Sequence, residues 1–174
     1  SYDLWDETAV KPAAEAPYLA VSGIFEGLAP FVSIEGLAVV AGPDAEKAGF
    51  VRKDSAAFSA LLNLLESEKQ AAVFGLKRYD QAGLKAQQAF FDIELAAYLL
   101  EPERSKYALP ELSQKYLQEM APESFADERS RAVWEAKTIS RLYPLLGAKL
   151  EEEELTHLMD TVELPLVEVL AAME

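Results

Sequence analysis

The strongest constraint on how this chain folds is a change of hydrophobic period at Asp54. Before it, apolar residues come in short runs: Tyr18-Leu19-Ala20-Val21, Ile34-Glu35-Gly36-Leu37-Ala38-Val39-Val40 and Ala48-Gly49-Phe50-Val51, with Gly42-Pro43 as a turn. Runs of this length between turn residues predict strands, and three in succession predict a meander. After it, Phe58, Leu61, Leu62 and Leu65 fall at helical spacing behind an Asp54/Ser55 cap. Ala71-Ala72-Val73-Phe74 predicts one more short, buried strand. Helices are expected over 78–86, 92–101 and 110–120, the last opened by Pro110-Glu111, a good first-turn pair. From roughly 124 to 174 the pattern is helical with an interruption near Gly147, and Leu155, Leu158, Val162, Leu166, Val169 and Leu170 make one face apolar. The expected architecture is a mixed sheet covered by helices.

A chain of 174 residues is long enough for one such domain and short for two. Its net charge of −14 has the wrong sign for gripping a phosphate backbone. Any nucleic-acid contact is therefore expected from a local patch or a neighbouring domain. No cysteine is present, which removes disulfides and thiolate sites and fits a reducing, cytoplasmic interior. No stretch reaches the about 18 apolar residues of a membrane span, and Ser1-Tyr2-Asp3-Leu4-Trp5-Asp6 lacks the regions of a signal peptide. Residues 1–16, polar and rich in Ala and Pro, read as a linker with little structure, leaving 17–174 as the domain. The missing initiator Met, and an apolar pattern still running at Met173-Glu174, suggest a piece of a longer chain.

Two segments carry a specific resemblance. Phe91-Asp92-Ile93-Glu94-Leu95-Ala96-Ala97-Tyr98-Leu99-Leu100-Glu101-Pro102 resembles the Phe-Asp-Thr-x-x-x-x-Tyr-Leu-Leu-x-Pro stretch in the 3′–5′ exonuclease-like domain of bacterial DNA polymerase I. Val162-Glu163-Leu164-Pro165-Leu166-Val167-Glu168-Val169-Leu170-Ala171-Ala172-Met173-Glu174 resembles the helix leading from that domain into the polymerase domain. Order and separation match as well. The resemblance implies a ribonuclease-H-like α/β fold, with a mixed β-sheet of about five strands flanked by α-helices. In active members four carboxylates hold two Mg or Mn ions, which activate a water and stabilise the leaving oxygen.

Carried onto this sequence, those carboxylate positions are largely degenerate. Counting back without gaps from Glu35-Gly36-Leu37 places Val21 and Gly23 on the Asp-x-Glu motif of the first strand. Leu76-Lys77-Arg78-Tyr79-Asp80 matches the end of the second motif, so Asp80 is the one retained carboxylate and Leu76 stands for an amide. The third motif, Tyr-x-x-x-Asp, is fitted by Phe125 and Arg129. A guanidinium about 5 Å from a divalent ion, at an effective dielectric of about 20, repels it by roughly 6–7 kcal/mol, the size of a micromolar binding energy. No catalytic residue, bound metal or other cofactor is therefore expected, and Asp80 is a weak metal candidate that reads more simply as a helix cap or surface charge.

Other features read as structural. Asp92 opens a helix, Glu26 next to Gly27 marks a turn or else slides into the emptied first motif, and His157 is a solvated helix residue. Glu151-Glu152-Glu153-Glu154 suits a helix's first turn. Lys77, Arg78, Lys85, Arg129 and Arg131 are the basic residues near the old cleft, either a charge-balanced surface or a weak grip on single strands. Val21 and Leu76 are expected to help fill that cleft. The reading is a vestigial, non-proofreading exonuclease domain, monomeric, which buttresses the polymerase domain of its own bacterial polypeptide and meets DNA through it. An active metal-dependent exonuclease with misaligned ligands and an unrelated acidic interaction module are the alternatives.

Overall fold

The computed structural model describes residues 2–44, 47–67, 69–84 and 90–161. The expected meander forms the centre of the fold. Strands β2 (Tyr18–Glu26), β3 (Ser33–Gly42) and β4 (Ala48–Arg52) pair antiparallel, with Val21 opposite Val39 and Gly23 opposite Leu37. Strands β5 (Ala71–Val73) and β6 (Phe90–Asp92) add in parallel beyond β2, and β1 (Asp3–Leu4) adds in parallel beyond β4. The result is a six-stranded mixed sheet in the order β1-β4-β3-β2-β5-β6.

Period-two alternation gives the sheet two apolar faces and hence two cores. Leu19, Val21, Leu37, Val39 and Val51 form one of them, called the second core below, against a layer made by α1 (Glu7–Ala13), α2 (Ala56–Leu65) and α3 (Leu76–Gln81). Ala20, Ala38, Val40 and Phe50 face α4 (Ile93–Leu100), α5 (Leu109–Leu112), α6 (Glu128–Glu152) and Met159 of α7 (Thr156–Thr161). Ser55 caps α2 by accepting from Phe58 N at 3.1 Å, as the sequence predicts. Asp92 caps α4, accepting from Glu94 N at 2.9 Å. Its carboxylate also accepts from Gly75 N and Leu76 N, both at 3.0 Å, and so ties β6 to the β5–α3 junction. Burial pushes its carboxyl above the ordinary range, against the pull of those backbone donors.

Several expectations are corrected. The lead-in expected to carry little structure instead supplies β1 and α1, with Val10 and Ala13 buried in the second core. It is fastened by Trp5, whose backbone N–H donates to Phe50 O at 3.0 Å and whose indole covers Gly49. The stretch 110–120 is one α-turn, α5, followed by a π-helical turn at Ser113–Leu117. The interruption near Gly147 is absent: α6 runs through Pro144 and Gly147 because Leu142, Leu146 and Leu150 stay buried against the sheet, outweighing the ~1 kcal/mol cost of a helical glycine. Its break comes at Glu153 and Glu154, the latter at φ 60°. The glutamate run thus lies at the end of α6, not at a first turn, and remains exposed where the macrodipole does not favour it. The expected helix 162–174 and residues 85–89 fall outside the described residues. No helix among the described residues is long and apolar enough to cross a membrane.

The fastening of the lead-in is testable. A Cβ on Gly49 would lie 2.0 Å from Trp5 Nε1, so Gly49→Ala should expel the indole. The expected loss is about 1–3 kcal/mol in urea unfolding, with a red-shifted tryptophan emission.

Candidate functional site: the cleft between β2, α3 and α6

A cleft of about 230 Å³ opens where β2 leaves the core. Its walls are Ser22, Gly23 and Phe25 of β2, Phe74 after β5, Arg78 and Tyr79 of α3, Leu109 of α5, and Arg131 and Glu135 of α6. Alternation along β2 sends Ser22 towards α6 and Gly23 towards α3. A register shift between Ile24 and Phe25 turns the strand end over the cleft.

On the α6 side the groups form a closed ionic chain. Ser22 Oγ donates to Glu135 Oε1 at 2.8 Å, and Arg131 Nη1 donates to the same oxygen at 3.1 Å. The Arg131 fork also holds Glu128, through Nε at 3.3 Å and through Nη2. On the α3 side the contacts are aromatic. Gly23 N donates to Tyr79 Oη at 2.9 Å, Tyr79 meets Phe25 edge-on at 4.9 Å, and the Arg78 guanidinium lies 5.0 Å from the Phe25 ring centre. A Cβ on Gly23 would lie 2.9 Å from the far end of the Phe25 ring, so packing here favours glycine. Burial pushes the Tyr79 phenol far above its usual range, so it stays protonated.

The positions expected from sequence are distributed differently. Gly23 lines the cleft, whereas Val21 and Leu76 are buried in the second core and do not line it. Phe25 and Tyr79 occupy the wall instead, and the cleft stays open. Asp80 is exposed on α3 and does not line the cleft; its neighbour Tyr79 does, because adjacent helical residues point about 100° apart. Phe125 packs on Trp134 with ring centres 5.7 Å apart, and Arg129 lies over the Phe50 ring at 5.0 Å, both off the cleft. The same i, i+4 spacing is met six residues later by Arg131 and Glu135, which do face β2. Of the basic group, Arg78 and Arg131 line the cleft, Lys77 does not, and Lys85 is outside the described residues. Glu26 ends β2 exposed, followed by the turn at Gly27 with φ 90°, and His157 is exposed on α7. Glu135 is the residue that sequence reasoning missed, although its spacing from Arg131 was the available signal.

Does this wall fit a pair of divalent ions? Mg²⁺ takes octahedral oxygen ligands at about 2.0–2.1 Å and is held by carboxylates. The described lining offers one carboxylate, Glu135, with a guanidinium already on it, plus a serine hydroxyl and a neutral phenol. Among the described residues no group of three or more His, Asp or Glu side chains is placed to hold a metal. The donor set does not fit two such ions.

No protein-family model and no curated protein sequence matches the chain. Solved structures do. The POL domain of Pol1 from M. smegmatis, in complex with DNA primer-template and dNTP, superposes with a TM-score of 0.78 at 18% identity, covering 99% of this chain and 31% of that one. Brucella melitensis NrnC with bound Mg²⁺ gives 0.72 at 17% identity over 99% and 91% of the two chains. Escherichia coli RNase D, an exoribonuclease involved in structured RNA processing, gives 0.76 at 13% identity over 97% and 50%. The fold is therefore the ribonuclease-H-like fold of 3′–5′ exonuclease domains, and this chain spans less than a third of the polymerase chain's length.

The Gly23–Tyr79 bond fixes the strand end. Tyr79→Phe should leave a buried N–H without its acceptor and cost about 1–3 kcal/mol in chemical denaturation, with the fold retained by far-UV circular dichroism.

Proposed function

We propose that this chain is a catalytically silent 3′–5′ exonuclease-type domain, retained as a structural part of a bacterial DNA polymerase. The observation that carries the reading is the cleft's donor set. Glu135 is the one carboxylate among the described lining residues and is neutralised by Arg131, while the two strand positions that the resemblance gives to ligands are Val21, turned into the core, and Gly23. Phosphodiester hydrolysis of the kind the resemblance implies needs a positioned, ionised water and a cation on the leaving oxygen. Nothing in this wall supplies either: the Ser22 hydroxyl is committed to Glu135, and that carboxylate's charge is pinned by a guanidinium.

The polymerase context rests on the Phe91-to-Pro102 resemblance, on the sequence of residues 162–174 and on the fold shared with the M. smegmatis polymerase. In this reading the domain works within a monomeric polypeptide in the bacterial cytoplasm, lends the polymerase part a rigid neighbour, and meets DNA only through it. A net charge of −14 accords with weak DNA affinity of its own.

The test is direct. Incubated with 5′-labelled single-stranded DNA or RNA and millimolar manganese, the chain is expected to leave both at full length. Progressive shortening from the 3′ end that vanishes in Glu135→Gln would overturn the proposal.

A further inference from the structure

We infer that Arg131 is the resident cation of this cleft: its guanidinium stands in for metal ions as the positive charge that neutralises Glu135 and fixes the carboxylate through which α6 is clamped to Ser22 of β2. The inference rests on reading the cleft as free of divalent ions. In a two-ion site, the ions bridge carboxylates on different elements and hold those elements together. Here groups of the chain itself join β2 and α6. Ser22 on β2 and Arg131 on α6 converge on one oxygen, Oε1 of Glu135, at 2.8 and 3.1 Å. At the other end of β2, Tyr18 Oη donates to Ser140 O of α6 at 2.8 Å. The long helix is thus pinned to the strand at two polar points, of which the one at Glu135 is also part of an ion pair.

The geometry also explains why Arg131 rather than Arg129 has this role. Arg129 spends its charge on the Phe50 face. Arg131 is held in a fork between Glu128, one turn back, and Glu135, one turn on. Glu128 is 65% exposed and Glu135 23% exposed, so the inner contact is the better shielded of the two. A fixed guanidinium at this distance repels any divalent ion approaching Glu135, and it cannot be titrated away at ordinary pH. The resident charge is therefore permanent, whereas a metal would be exchangeable.

Thermal unfolding of the chain in chelator, in magnesium and in manganese tests this. The wild-type midpoint is expected to be the same in all three. Arg131→Gln should lower it by about 3–6 °C, and Arg131→Lys by less, because a cation without the fork remains. Manganese should raise the midpoint of Arg131→Gln but not of Arg131→Gln/Glu135→Gln, since the freed carboxylate is what attracts the ion. An Arg131→Gln midpoint equal to wild type, with labelled DNA still intact, would sink the clamp and leave the silent domain standing. A wild-type midpoint that rises with manganese and loses that rise in Glu135→Gln would sink both.

Discussion

Strand β2 is buried from Tyr18 to Gly23, sandwiched between two helical layers, and everything in the cleft follows from that burial. A side chain on such a strand must be satisfied by whichever layer it faces. Val21 meets this by joining the apolar second core. Ser22 meets it by donating to Glu135, and Gly23 by giving its N–H to Tyr79. The strand end is thus closed on both sides by groups of the chain itself, where the resemblance would have exposed carboxylates meet metal ions.

The electrostatic consequence is local. On a strongly acidic chain, the described lining of this cleft has two guanidiniums and one carboxylate. Arg78 is parked on the Phe25 ring and Arg131 is shared between Glu128 and Glu135. A pair of divalent ions would have to displace the Arg131 contacts and then find further anionic ligands that the described wall does not offer. The fold is shared with solved nuclease structures, and fold by itself does not fix chemistry.

Much of the architecture was legible in the sequence because it is written in local periodicity. The β2–β3–β4 meander, the Ser55 cap and the Asp92 cap each depend on residues close in the chain. The failures share a different cause. Order in the lead-in depends on Trp5 covering Gly49, a long-range contact that composition cannot reveal. Strand β6 has three residues and runs straight into α4, so helical spacing masks it. In the site, residue type points to Asp80 while the fold presents Tyr79 to the cleft, because neighbours on a helix face different ways. In the late segment an i, i+4 spacing recurs, and only the sheet beneath decides that Arg131 and Glu135 face the cleft while Phe125 and Arg129 do not.

The central claim is that one guanidinium-bound carboxylate cannot hold a pair of divalent ions. Anomalous scattering from crystals of this chain soaked in manganese measures that occupancy atom by atom. The account predicts no ordered manganese within ligand distance of Glu135, Ser22 or Tyr79, and an Arg131–Glu135 contact still closed. Two manganese peaks in the cleft, with Arg131 swung away from Glu135, would contradict it.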